Sequence, residues 1–429
     1  MKDIVIAGGI RTPFVKAGMN FRDLTAYDIC ALVLKELVYM TKLDTKLIDE
    51  IIVGNVANPP EAMNIARVSA LLAGLPQEIP AFTVHRNCSS GMQAITTAYE
   101  KIQAGAADLI LAGGTESMSN IPFYFRKELK ERFSEIMKAK SGMDKISAVF
   151  KIHPKSLSPI IGVIVGLTDP VSGLNMGQTA ENLVRDFKIS REAQDEFALW
   201  SHKKAIAAIK AGKFQEEILP VYIPPQYKEV IDADVGPRED TNMNALMKLK
   251  PVFDKINGTV TVGNACSVTD GACMLIVTTR EKAISLGLEI MGSLKAYSYA
   301  GLDPTRMGLG PVFATQKLLI RNNNISFKDI QLIEINEAFA AQVLAVEAAF
   351  KSSDFCKKHF GIDTPIGEID RNILNVNGGA IAFGHPVGAT GARLVLTLLK
   401  EMKRRNLNLG LASLCIGGGQ GAALVFERN

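Results

Sequence analysis

Val84-His85-Arg86-Asn87-Cys88-Ser89-Ser90-Gly91-Met92 joins a short apolar, strand-like run (Pro80 to Val84) to a helical one (Met92 to Gln103). Small residues at the junction predict a tight strand-to-helix turn, the unit from which layered α/β folds are built. Cys88 then lies where the helix begins, beside backbone N–H groups without an intrahelical partner. The positive end of the helix dipole favours an anion there, so the position predicts a thiol that ionises more readily than free cysteine. A small buried cysteine at a crowded turn is the alternative, because free cysteine is among the most buried residue types.

Upstream, Ile4 to Ala7 and Ile48 to Val56 read as strands, Leu24 to Leu43 and Asn64 to Ala73 as helices. Downstream come Gly105, the strand Leu109 to Ala112 and a Gly113-Gly114 turn. Residues 120–251 break this alternation with proline, charge and helical patterning at Arg126–Ala139, Thr179–Phe187 and Arg191–Ala211. A sheet pattern returns at Gly258 to Val262 and at Ala272 to Thr278. Later stretches repeat the opening theme: strand Ile330 to Ile335, helix Glu337 to Phe350, Gly388-Ala389-Thr390-Gly391 opening a helix to Lys403, and strand Gly410 to Cys415 running into Gly417-Gly418-Gly419. The order Gly-turn, helix, strand, Gly-Gly thus occurs twice. The expected fold is α/β, with two pseudo-equivalent layered halves and an inserted, mostly helical loop domain. The halves are residues 1–119, completed by about 252–279, and 280–429, with 120–251 inserted.

The 429 residues exceed what one compact core holds, and 47% hydrophobic with 21% charged content describes an ordinary globular chain. A net charge of +4 over this length does not argue for nucleic acid. Six cysteines (Cys30, Cys88, Cys266, Cys273, Cys356, Cys415) without C-x-x-C pairs argue against a zinc site or disulfide framework and point to a reducing compartment. The start Met1-Lys2-Asp3, directly followed by a strand, leaves no room for a leader peptide, and Glu427-Arg428-Asn429 is no retention address. The expectation is a cytoplasmic protein.

Three further stretches carry chemistry. Asn377 to Gly391 contains one titratable group besides glycine and small residues, His385, with Pro386 stiffening the backbone after it. Such a loop lets a ligand approach closely while one imidazole is held; an ordinary surface turn is the alternative. Leu414-Cys415-Ile416-Gly417-Gly418-Gly419 places a second cysteine at a strand end, followed by N–H groups suited to a developing oxyanion. Asn336-Glu337-Ala338-Phe339 is a polar pair at a strand-to-helix junction, which simple capping by Asn336 would also explain.

Together these four blocks resemble the signature motifs of the thiolase family. Gly113 to Ser119, Asn175 to Asn182 and Gly308 to Val312 are similar to further family segments, so the resemblance runs from Arg11 to Phe426. It implies that Cys88 is the nucleophile that accepts an acyl group as a thioester. It implies that His385 activates Cys88 and, with a water held by Asn336, binds the thioester oxygen, and that Cys415 shuttles the proton. The N–H groups of Cys88 and Gly417 would form a second oxyanion hole. Cys266, Ser267, Phe339 and Met176 would contact coenzyme A, which with acyl-CoA enters as substrate, with no metal and no permanently bound cofactor. The implied activity is thiolytic cleavage of 3-ketoacyl-CoA, as in fatty-acid β-oxidation. Condensation of two acetyl-CoA by a biosynthetic acetoacetyl-CoA thiolase is the alternative. The implied assembly is a homodimer or tetramer.

The chain departs from the family pattern at Cys266, where serine is common, and at Asn175, where histidine is. Ile121 to Leu174 and Lys351 to Ile373 resemble the longer segments of β-subunit thiolases from fatty-acid oxidation complexes, although those often carry histidine where this chain has Asn336. That likeness implies a hydratase/dehydrogenase partner subunit or a peripheral membrane contact. The stretch Arg126 to Lys155, with nine basic residues against four acidic ones, is a candidate docking element; a solvated helix face, or lysines that attract the coenzyme A phosphates, are the alternatives. A decarboxylating ketoacyl synthase would pair the cysteine with two histidines, or with His and Asn, rather than with Cys415. A non-catalytic acyl carrier on the same scaffold would not need Cys88, His385 and Cys415 together.

Overall fold

A computed structural model describes residues 2–428. Nine strands form the path of the main sheet: β1 (Ile4–Arg11), β2 (Glu50–Gly54), β3 (Ala81–Val84), β4 (Leu109–Ser117), β5 (Thr269–Thr279), β6 (Gly292–Gly301), β7 (Leu332–Ile335), β8 (Leu409–Ile416) and β9 (Gln420–Glu427). They run in the order β7-β8-β9-β6-β1-β5-β4-β2-β3, with Val15–Lys16 pairing at the side of β5. The pairs β2/β3, β2/β4 and β7/β8 are parallel and the rest antiparallel. The two halves meet through a short contact of β1 with β6, at Val5↔Ser293 and Ile6↔Gly292.

Alternation of side chains along each strand builds the layers. β4 sends Ile110 and Ala112 to the centre of the molecule and Leu109 and Leu111 outward, and β9 sends Leu424 and Phe426 inward and Ala423 and Val425 outward. The inner faces of both halves close on two helices, α1 (Ser90–Gln103) and α2 (Val387–Arg405), through residues such as Met92, Ile95, Leu394 and Leu398. Ala26–Thr41 covers the outer face of the first half, its start fixed by a capping box in which Thr25 and Asp28 satisfy each other's N–H. Gly310–Arg321 and Ala340–Phe350 cover the second. The result is an α/β fold of two equivalent halves around one helical centre.

The two central helices approach so closely that only glycine fits between them. A Cβ on Gly91 would lie 2.7 Å from the Ala392 nitrogen; α2 packs as closely on β4, where a Cβ on Gly114 would lie 1.9 Å from the Gly388 carbonyl. This explains one departure from expectation. Gly113-Gly114 is not a turn: β4 continues through it to Ser117, paired with β5 from Gly113↔Met274 to Ser117↔Asp270. Gly258 to Val262 is not a strand, because its N–H groups go to side chains. Glu181 accepts from Thr259 and Val260 at 2.8 Å each, and Asn264 accepts from Thr261 at 2.8 Å. The helix expected from Glu337 begins only at Ala340, since Asn336 donates its N–H to Ser413 at 3.0 Å and stays extended.

Between β4 and β5 the chain adds no strand to the main sheet. It forms Lys127–Lys138, Gly142–Phe150 (not anticipated), Gly162–Gly166, Met176–Phe187, Arg191–Lys210 and Met243–Met247, with two small two-stranded antiparallel sheets. Leu183, Phe197 and Ala198 pack into the outer layer of the second half. Buried Arg11 of β1 ties the segment to the first half, donating to Glu217 at 2.8 Å and to both oxygens of Asp234 at 2.7 and 2.8 Å. Losing one member of such a buried set costs about 3–5 kcal/mol. No helix among the described residues is long and apolar enough to cross a membrane.

Candidate active site

The candidate residues converge because they sit at the same place in each half. Cys88 lies two residues before the first residue of α1, and His385 lies two residues before that of α2. Cys88 follows β3, Asn336 follows β7 and Cys415 lies at the end of β8, so all three stand at the carboxyl ends of parallel strands, where α/β sheets place their sites. His385 and Cys415 are 7% and 2% exposed and Asn336 is fully buried, whereas Cys88 is half-buried on the wall of a cavity of about 790 Å³.

The turn holding Cys88 is locked by hydrogen bonds. Asn87 takes a left-handed φ of 44°, Ser90 Oγ donates to its carbonyl at 2.7 Å, and Ser90 Oγ accepts from Arg86 N at 2.9 Å. Asn87 Nδ2 donates to the Gly417 carbonyl at 2.7 Å, which fixes the glycine turn after β8 against the cysteine. Burial pushes the Cys88 thiol up. The N–H groups of Gly417 and of Cys88 itself pull it back, and Glu116 pushes it up again. The net direction is upward, which corrects the expectation of a readily ionised thiol: removal from water outweighs the N–H groups at the helix start. Cys88 therefore needs a base.

His385 is suited to supply one. Burial, and then the Arg393 charge, holds its imidazole down at about 3, so the ring is neutral. Thr390 Oγ1 donates to the Pro386 carbonyl at 3.0 Å and lies 2.6 Å from His385 Nδ1. With its proton committed to Pro386, Thr390 accepts from Nδ1–H, and Nε2 is left as the basic nitrogen. Nε2 faces Asn336 Nδ2 at 3.4 Å, and Asn336 Oδ1 is buried without a hydrogen-bond partner, an acceptor that only a donor such as water can satisfy. Thr390→Val is expected to free the tautomer. Losing a buried hydrogen bond costs about 1–3 kcal/mol, so acylation of Cys88 should slow by about 5- to 150-fold, read by rapid quench. An unchanged rate would remove Thr390 from the account.

Cys415 is packed with Ala180, Ala338, Phe339 and Met176, and its thiol is pushed well up by burial and then by the neighbouring thiols Cys88 and Cys266. Cys266 is likewise raised, to about 12, first by burial and then by Cys88. Three neutral thiols thus share one apolar neighbourhood. Cys266 donates its N–H to the Ala338 carbonyl at 3.0 Å, Ala265 bridges to Phe339, and Ser267 accepts from the His385 N–H at 3.2 Å, which joins this loop to the histidine turn.

Of the residues expected to contact coenzyme A, Met176 lines the cavity beside Cys88 and Gly417, while Cys266, Ser267 and Phe339 lie outside its lining. Sequence reasoning missed Phe253, whose ring meets Phe339 edge-on at 5.9 Å and covers Gly177. It also gave no role to Thr390, Asn87 or Glu116. Glu116 is buried, and its carboxylate accepts from Val56, Ala57 and Gly388 N–H groups at 3.0–3.1 Å and from Asn55 at 2.9 Å. Burial nevertheless raises it to about 7. The signal for it was a lone carboxylate in an otherwise apolar, glycine-rich strand, which folding tolerates only when donors surround it.

Residues 4–281 match the family described as "Thiolase, N-terminal domain" and residues 288–428 the one described as "Thiolase, C-terminal domain". The 3-ketoacyl-CoA thiolase of Aeromonas salmonicida is 38% identical over 99% of this chain and 96% of its own length. The crystal structure of the Bacillus anthracis acetyl-CoA acetyltransferase superimposes with a TM-score of 0.86 at 38% identity, covering 100% of this chain and 99% of that one. Human mitochondrial 3-ketoacyl-CoA thiolase in complex with CoA gives 0.85 at 35% identity, covering 100% and 98%.

Proposed function

The chain belongs to the thiolase family, and from that membership we propose that it is an acyltransferase that cleaves 3-ketoacyl-CoA with coenzyme A. The observation that supports the reading best is the pairing of Cys88, held under its own N–H and that of Gly417, with a second thiol, Cys415, beside it and a neutral histidine before the second central helix.

His385 Nε2 takes the Cys88 proton as the sulfur attacks the 3-keto carbon. The N–H groups of Cys88 and Gly417 receive the negative oxygen that forms there. The bond between C2 and C3 then breaks, its electron pair passing to the acetyl-CoA half. The thioester oxygen of that half is held by His385 and by a water on Asn336, and Cys415 supplies the proton to its α-carbon. Coenzyme A attacks the acyl-Cys88 thioester, and the thiol proton returns through the same groups to restore the enzyme. Run backward, these steps condense two acyl-CoA molecules, a second reading favoured by the likeness to an acetyl-CoA acetyltransferase. Met176 and Phe339, with Cys266 and Ser267, are proposed to guide the pantetheine. Adding coenzyme A to the protein and acetoacetyl-CoA should yield acetyl-CoA; no coenzyme A-dependent cleavage of any 3-ketoacyl-CoA would overturn the proposal.

The setting we propose is cytoplasmic β-oxidation by a homo-oligomer. β3 is an edge strand of half-buried residues, the kind of edge that native proteins cover. Sedimentation should show a dimer or tetramer of the 46.4 kDa chain at micromolar concentration, and a monomer would count against it. Arg126 to Lys155 is proposed to dock on a hydratase/dehydrogenase subunit or on anionic lipid. Within it Leu129 is buried, while Met137, Met143 and Phe150 are more than four-fifths exposed.

A further inference from the structure

Glu116 is fully buried and lies close enough to Cys88 to oppose its ionisation, yet no step of the acyl transfer uses it. It follows Ile110, Ala112 and Gly114 on the face of β4 turned to the central helices. One carboxylate oxygen accepts from Asn55 Nδ2 at 2.9 Å and from the Ala57 N–H at 3.1 Å. The other accepts from the Val56 N–H at 3.0 Å and from the Gly388 N–H at 3.1 Å. Gly388 lies in the first turn of α2, between His385 and Thr390, where N–H groups have no partner within the helix. A Cβ on it would come within 2.4 Å of the Thr115 carbonyl oxygen, so this turn has no slack against β4. Asn55 to Ala57 leave β2 directly after Gly54, which is pressed on the start of α1: a Cβ there would meet the Ser90 carbonyl carbon at 2.3 Å. Ser90 Oγ in turn locks the Cys88 turn. A single carboxylate thus reaches the starts of both central helices, one behind the nucleophile and the other behind its base.

Resting on the proposed acyl transfer at Cys88, we propose that Glu116 is its positioning residue: the carboxylate fastens the His385 turn to the Cys88 turn and so sets the distance between base and nucleophile. Protonation turns one oxygen into a donor that faces N–H groups, and the hold is released. Burial raises Glu116 to about 7, so the carboxylate and its hold are present above neutrality and lost as the pH falls through about 7. Of the groups around it, His385 is held down at about 3 and Cys88 is pushed up. Arg393, the first charged residue of α2, pairs with Glu334, and Asp270 of β5 accepts from Ser119. Burial raises both of these carboxylates as well, and variants of Glu116 and Asn55 tell them from Glu116.

The test is single-turnover acylation of Cys88 by acetyl-CoA in the full chain, read by rapid quench from about pH 5.5 to about pH 9, where a titrating group shows as a limb. The wild type should lose rate below a midpoint near 7. Glu116→Gln keeps the shape but offers one acceptor oxygen where the carboxylate offers two. Above that midpoint it should acylate about 100-fold more slowly, the order that a 1 Å displacement costs, and its limb should be gone. Asn55→Ala removes a donor that draws Glu116 down, so its limb should move to higher pH. If Glu116→Gln does not fold, the wild-type limb and its movement in Asn55→Ala decide the matter. A limb that persists in Glu116→Gln belongs to another carboxylate and would overturn the positioning role. So would a near wild-type rate in that variant, or a limb that stays in place in Asn55→Ala. No acylation of wild-type Cys88 at any pH would instead overturn the acyl transfer itself, and this role with it.

Discussion

Cys88→Ala should reduce coenzyme A-dependent cleavage of 3-ketoacyl-CoA by roughly 10⁴-fold or more, the order seen when a covalent nucleophile is removed. Cys88→Ser should do nearly as badly. The hydroxyl occupies the same place under the N–H groups of Cys88 and Gly417, but an alcohol is a far weaker nucleophile without a strong base. The imidazole of His385, held down at about 3 by burial and by Arg393, is a weak one. It suffices for a thiol whose ionisation, although opposed by burial, is helped by two N–H groups. Steady-state thiolysis with acetoacetyl-CoA checks this, and a loss smaller than tenfold in Cys88→Ala would remove Cys88 from the covalent role.

Cys415→Ala should separate the two cysteines. The alanine leaves Cys88, His385 and Thr390 in place, so an acyl group can still be loaded onto Cys88 from an acyl-CoA. The steps that put a proton on, or take one from, the acetyl α-carbon lose their shuttle. Cleavage and condensation should both fall by roughly 10²–10⁴-fold, the usual contribution of a positioned acid or base. The thiol of Cys415, pushed well above its ordinary value, is protonated at rest and so ready to donate in the cleavage direction. A variant that condenses acetyl-CoA at near the wild-type rate would show that another group moves this proton.

Much of this arrangement was legible before any coordinates. The repeat of Gly-turn, helix, strand and Gly-Gly reported two equivalent halves because each half must bury one helix, α1 or α2, against its own sheet. The close approach of those helices demands glycine at Gly91, and the packing of α2 on β4 demands it at Gly114 and Gly388. Cys88, His385, Cys415 and Asn336 stood out because each lies among small residues at a junction, where a reactive side chain has little packing value.

What stayed hidden depends on partners distant in sequence. Thr390 reads as a helix residue until its hydroxyl is seen between Pro386 and the His385 ring. Glu181 and Asn264 take the N–H groups of Thr259 to Thr261, so an alternating pattern that looks like a strand forms none. The Cys88 thiol was misjudged for a related reason: the helix start is local, whereas the burial that outweighs it comes from both halves closing over the turn.

The claim on which the account depends is that the acyl group rides on Cys88 with Cys415 as its proton partner. Incubating the full chain with acetyl-CoA, quenching in acid and mapping the peptides by mass spectrometry tests it directly. The account predicts one acetyl group, on the peptide containing Cys88, in the wild type and in Cys415→Ala alike, and none in Cys88→Ser. An acetyl group on Cys415 or Cys266 in the wild type would contradict it.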